Sequence, residues 1–143
     1  MPGGLTITTL SPEARRFLEE PRFAVVGTVS GDGTPHQAVI WYGLDGETFY
    51  LNGAAGRLWC RNLERDGRLS LVIADKYDYV EIRGRVDEID RDQSRALHDI
   101  EALARRYLGD EAEIGRSMER YRTQERISYR LTAERIRERF GEG

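Results

Sequence analysis

Two arginines four residues apart, Arg57 and Arg61, stand with Asn62 just after a glycine-bearing stretch that contains Gly53 and Gly56. A guanidinium holds phosphate through paired, charge-assisted hydrogen bonds. Arg57 falls at the start of a predicted helix, where free backbone N–H groups add to anion binding. One helical turn puts Arg61 on the same face, and the glycines allow close backbone approach and unusual φ values. The same spacing also suits a solvent-facing helix with Asn62 bracing a turn or loop, so local chemistry leaves both readings open. A second group, Tyr77, Tyr79, Arg83 and Arg85, shares one parity along a predicted strand. It forms either a surface for an anion or a hydrated face whose arginines pair with Glu81 and Asp87. Trp41 and Trp59 are candidates for a pocket wall or for packing, Cys60 reads as packing, and His36 as a phosphate or ring contact or a surface residue. No grouping of acid, histidine and cysteine supports covalent or hydrolytic catalysis, and no catalytic residue is assigned.

These groups need a scaffold, and the chain has the material for one. Its 143 residues, 39% hydrophobic and 33% charged, suit one soluble folded domain with a moderate core. The formal charge of -3 gives no call for a nucleic acid. One cysteine rules out an internal disulfide framework, and two histidines, His36 and His98, make a structural metal an unpromising expectation. No apolar stretch approaches the ~20 residues of a membrane span, and the first residues lack a signal-peptide pattern. The expectation is a cytoplasmic protein without a membrane partner, with residues 1–10 an extension and 11–140 a single domain.

Ser11-Pro12-Glu13 predicts a helix start, and Pro21 its end. The nearly all-apolar run 23–29 predicts a strand buried on both faces. A turn at Ser30-Gly31-Asp32-Gly33 leads to a strand over 35–42, and Asp45-Gly46 signals a hairpin into a strand at 47–51. A short helix over 57–65, with Leu58, Cys60 and Leu63 inward, precedes strands at 69–74 and 79–89. A helix over 91–108 is capped by Gly109, and a weaker helix follows at 111–121. Then come a last strand at 127–136, Phe140 against its end, and a short tail. The expected fold is mainly β with peripheral helices, six strands in a closed or nearly closed antiparallel barrel, since closure removes exposed edges. An open α+β sheet with helices on one face is the other architecture that fits.

The run 23–29 followed by Asp32-Gly33-Thr34-Pro35-His36, then Val39-Ile40-Trp41-Tyr42 and Asp45-Gly46, resembles the opening of pyridoxamine 5'-phosphate oxidase-like proteins. Gly56-Arg57 with Arg61-Asn62-Leu63-Glu64-Arg65-Asp66 resembles their cofactor-phosphate segment. The likeness spans residues 11–136 and is strongest to the branch that uses a deazaflavin, coenzyme F420. It implies an FMN-binding type split barrel that forms a homodimer with a cofactor site in each of two intersubunit grooves. It further implies an oxidoreductase that passes hydride from reduced coenzyme F420 to a small conjugated C=C or C=N substrate. In that reading Gly56, Arg57, Arg61 and Asn62 hold phosphate, and backbone groups of Ala38, Val39 and Ile40 meet the ring. Trp59 stacks or packs, Tyr77 and Tyr79 line the site, and Tyr129 shapes the ring pocket. One departure from the branch is Trp59, which stands where a lysine is common; Arg68 or Lys76 could replace that cation. An FMN-dependent oxidase or reductase, and a non-catalytic flavin- or haem-binding protein with His36 or His98 as ligand, are the alternatives.

Overall fold

The computed structural model describes residues 9–141; most of the expected N-terminal extension and the last two residues of the tail lie outside them. Helix α1 (Pro12–Glu19) is capped by the Ser11 hydroxyl, which accepts from the Ala14 N–H at 3.0 Å, and buries Ala14 and Leu18. Strands β1 (Ala24–Val29), β2 (Pro35–Ile40), β3 (Gly43–Asp45) and β4 (Thr48–Ala54) follow. Helix α2 (Leu58–Arg65), strands β5 (Arg68–Asp75) and β6 (Asp78–Asp90), helices α3 (Gln93–Tyr107) and α4 (Glu111–Arg122), and strand β7 (Arg126–Arg139) complete the chain. Asp92 and Asp110 cap α3 and α4 with their carboxylates. The α3 C-cap is Leu108, one residue before the expected Gly109.

All strands form one antiparallel sheet in the order β2-β1-β5-β6-β7-β4-β3. It has seven strands, not the expected six, because the segment 35–42 is not one strand. Pairing with β1 stops at Ile40, and β3 begins at Gly43 against β4. The two pieces therefore lie at opposite edges of the sheet, and the expected run of three successive paired strands is not made. The two expected hairpins themselves are formed, β1 with β2 through the Ser30–Gly33 turn and β3 with β4 through Asp45-Gly46, where Gly46 has φ +65. A chain that links both edges through two residues curls the sheet into a split barrel. Ala24 and Val26 of β1, Leu71 of β5, Ile82 of β6, Leu131 of β7 and Phe49 of β4 meet in one core, with α1 and α2 packed against it.

The crossing residues explain the break. Tyr42 is fully buried, and its hydroxyl donates to the carbonyls of Leu18 at 2.8 Å and Glu20 at 3.2 Å. Its backbone N–H donates to the Tyr107 hydroxyl at 3.1 Å, which donates in turn to the Arg22 carbonyl at 2.7 Å. Arg106 reaches the carbonyls of Leu18, Glu19 and Glu20 from α3. The Tyr42 backbone N–H that a strand would use is thus satisfied from the end of α3, and the orphan carbonyls at the end of α1 are satisfied by Tyr42 and Arg106.

Burial also corrects two further expectations. In β1 only alternate residues are buried, and the outward Val25, Gly27 and Val29 are half-exposed, because no helix among the described residues covers that face. In α2 the inward set is Trp59, Cys60, Asn62 and Leu63, while Leu58 is 45% exposed. A polar residue occupies one buried position, which is why the apolar spacing read as imperfect.

Burial pushes the Tyr42 hydroxyl up to about 12 from its ordinary 10, so the folded state holds this proton more tightly than the unfolded chain. The contribution is present below pH 10 and lost as pH rises from about 10 to 12. Denaturant unfolding at pH 7 and pH 11 should show Tyr42→Phe less stable by about 1–2 kcal/mol at pH 7. The deficit should narrow at pH 11.

Candidate functional site

An open cleft of about 250 Å³ lies beside the crossing. Val39, Ile40 and Trp41 at the end of β2 form one wall with Phe23, and Asn52 and Gly53 of β4 form the floor. Arg57 and Trp59 enter from the start of α2, and Arg120, Tyr121, Gln124 and Arg126 from the α4–β7 junction. Trp41 is fixed by stacking on Tyr107, with centroids 4.9 Å apart and planes 7° apart. Because β2 pairs only with β1 among the described residues, its other backbone edge is free at Ala38–Ile40. Val39 is 68% exposed, whereas Ala38 and Ile40 turn toward the core.

Three of the lining residues are arginines and none is a carboxylate. Arg126 is only 6% exposed; its Nε donates to the Asn52 Oδ1 at 3.0 Å, its Nη1 to the Gln124 Oε1 at 2.6 Å, and its guanidinium covers the Tyr121 ring at 4.7 Å. Burial draws its pKa below the ordinary arginine value, yet an arginine remains a cation at neutral pH. Arg57 is exposed as the α2 N-cap and uses no side-chain capping bond. Cations held apart from carboxylates around a partly desolvated recess define a site for an anion.

The other expected site residues divide between wall and elsewhere. Trp59 is 4% exposed, and its ring leans on Tyr129 at 5.5 Å, so it both lines the cleft and packs. Tyr129 is fully buried behind it. Gly56 supplies the positive φ, +95, of the turn into α2. Gly53 meets a different need: a Cβ there would stand 2.4 Å from the Cys60 Sγ and 2.6 Å from Trp59. Arg61 is exposed one turn beyond Arg57 and outside the cleft wall. Asn62 is fully buried, donates to the Thr28 Oγ1 at 3.0 Å and accepts from Arg65 at 3.2 Å; it braces the end of β1 and does not reach the cleft. Tyr77, 77% exposed, and Tyr79 sit at the β5–β6 turn, away from the cleft of the same chain. Lys76 shares that turn and Arg68 is bound by Asp66, and neither lines the cleft of the same chain. His36 lines a separate groove on the outer sheet face and His98 is exposed on α3, so neither imidazole lines the cleft of the same chain. Burial pushes the Cys60 thiol up, which suits packing and not nucleophilic attack.

Arg120, Tyr121 and Arg126 were not singled out by sequence. They follow a weak helical pattern in a charged segment, and only the fold brings them opposite Arg57.

Residues 10–140 match the pyridoxamine 5'-phosphate oxidase family, and the chain belongs to it. It is similar in fold to an F420 reductase, with TM-score 0.71, 24% identity, and 90% of this chain and 98% of that one covered. A conserved hypothetical protein from Mycobacterium tuberculosis gives TM-score 0.73 at 24% identity over 99% and 98% of the two chains. The heme storage protein from Vibrio cholerae gives 0.69 at 18% over 93% and 97%. No curated protein sequence matches. The shared architecture places this chain among split barrels.

The Gly53 contact yields a test. Gly53→Ala should lower stability by about 1–3 kcal/mol through overpacking against Trp59 and Cys60, read as a lower denaturant midpoint at unchanged slope.

Proposed function

We propose that the protein is an oxidoreductase that binds coenzyme F420 in this cleft and reduces a small conjugated C=C or C=N substrate. The observation that carries the reading is the lining itself, three arginines without a carboxylate beside a fixed aromatic wall. A deazaflavin supplies hydride-transfer chemistry when bound, and the protein supplies binding, orientation and exclusion of water. Arg57 and Arg126 would hold its phosphate, and the free β2 edge at Ala38–Ile40 would meet the polar edge of its ring. Trp41, held by Tyr107, and Trp59 would shield the ring from water. The lining holds no carboxylate, imidazole or thiol, and the proton that completes reduction comes from solvent or a nearby group.

Preference for F420 over FMN rests on a continuation of the cleft. Trp41, Arg120 and Tyr121 also line a second recess along α4 that adds Arg116 and one carboxylate, Glu113. That gives cations for an anion longer than one phosphate, such as the acidic tail of F420. FMN, with a single phosphate, would use Arg57 and Arg126 alone, and the family match keeps it as the second reading.

One chain encloses less than the ~300 Å³ at the low end for ligand pockets. Phe23 and Val39 stand 62% and 68% exposed at the mouth. Val39, Val25 and Val72 are register neighbours across β2, β1 and β5. We therefore assign that uncovered face to a second copy of the chain, which completes the groove as a homodimer.

Side-by-side fluorescence titrations should give saturable F420 binding at about one site per chain, tighter than FMN, with about tenfold weakening in Arg57→Gln. The reverse preference would move the protein to FMN chemistry, and binding of neither would end the enzyme assignment. Val39→Glu should shift light-scattering mass from dimer to monomer and weaken ligand binding with it; a wild-type monomer would remove the dimer proposal.

A further inference from the structure

Arg126 ends a continuous buried hydrogen-bond chain whose donor direction is fixed at every link. Asp99, 5% exposed, lies on α3 and is held by both Nη atoms of Arg130, at 2.9 and 3.1 Å. Its Oδ2 also accepts from the fully buried Ser128 hydroxyl at 2.7 Å. A carboxylate only accepts, so the Ser128 hydrogen points to Asp99, and its oxygen is left to accept from the Asn52 Nδ2 at 3.0 Å. The same Nδ2 donates to the Ala96 carbonyl at 2.9 Å. With its amide nitrogen committed, Asn52 must present Oδ1 to the Arg126 Nε, where the distance is 3.0 Å. Gln93 pins the Arg126 backbone from α3, accepting from its N–H and donating to its carbonyl, both at 2.9 Å.

The charge arrangement gives this chain its meaning. Arg130 and Asp99 neutralise each other, so the line carries no net charge until Arg126, whose cation has no carboxylate among the described residues. Several arginines elsewhere have one: Arg105 pairs with Glu101 and Glu111, Arg95 with Glu88 and Asp90, and Arg91 with Glu64 and Glu125. The interior thus orients a buried guanidinium with neutral acceptors, Asn52 and Gln124, and leaves its charge for a ligand. A carboxylate at position 52 would have cancelled it.

We infer that Asp99, Ser128 and Asn52 are positioning residues, which act through Arg126 to set the affinity of the cleft for a phosphate-bearing anion. The inference rests on the reading of the cleft as an anion site, and it adds that affinity is controlled through Arg126 from behind the cleft wall, by Ser128 and Asp99, which do not line it. Asn52 is the link where two donor bonds inside the protein dictate the one acceptor offered to the guanidinium. Ser128 fixes Asn52, and Asp99 fixes Ser128.

Calorimetric titration of the full chain with inorganic pyrophosphate at low salt separates the two claims. Arg126→Gln should weaken pyrophosphate by about tenfold, the scale of one charge-assisted contact. An unchanged affinity would overturn the anion-site reading and this inference with it. Ser128→Ala should weaken pyrophosphate about as much in the wild-type background and by less than about twofold in the Arg126→Gln background. Ser128→Cys, which keeps the volume but bonds poorly, carries the same test if the alanine variant does not fold. Equal losses in both backgrounds, or no loss from either Ser128 variant while Arg126→Gln binds weakly, would overturn the positioning role and leave the anion site standing.

Discussion

The crossing at Trp41-Tyr42 is the constraint on which the rest of the molecule depends. Two residues carry the chain from β2 at one edge of the sheet to β3 at the other. That step is possible only if the sheet curls until its edges approach. It also leaves the Tyr42 backbone without a strand partner, and Tyr107 meets that deficit, while the Tyr42 hydroxyl and Arg106 satisfy the carbonyls that end α1. The helices at this corner are therefore part of the closure. The cleft is a consequence: where β2 ends and α4 meets β7, no strand continues the wall, and Trp41 stacked on Tyr107 forms its rim.

Electrostatics separates this recess from the rest of a charge-rich surface. Exposed ion pairs are abundant and each adds little to stability. Within the cleft the arrangement differs in kind. Arg126 is buried, oriented by neutral groups, and faces Arg57 and Arg120 across a space without a carboxylate. Keeping like charges close in a partly desolvated site costs free energy that an anion would return. An anionic cofactor therefore fits what the chain alone presents, and the aromatic rim gives its planar portion a place to lie.

Much of the fold was legible because its signals are local. The Ser11-Pro12 helix start, the Asp45-Gly46 hairpin and the alternation of Val80, Ile82 and Gly84 in β6 each depend on near neighbours. The break after Ile40 was not legible, since Trp41 and Tyr42 have ordinary strand propensity, and the groups that divert them come from α1 and α3. The nearly all-apolar run at 23–29 misled for a related reason: its outward valines lack a cover within one chain. In the site, Arg57 and Trp59 were visible as cation and aromatic near glycines. Asn62 looked equally functional but serves the end of β1, and Arg61 stands outside. Arg126 went unmarked because nothing around it in sequence distinguishes it; its burial and partners come from β4 and α3.

The most direct test of the central claim is a crystal structure of the protein grown with coenzyme F420. The account predicts phosphate oxygens within hydrogen-bond distance of Arg126 and Arg57, with the ring against the β2 edge at Ala38–Ile40 and Trp41. Phosphate bound instead to Arg68, Arg83 and Arg85, which line the outer-face groove with His36, with the cleft filled by solvent, would contradict it.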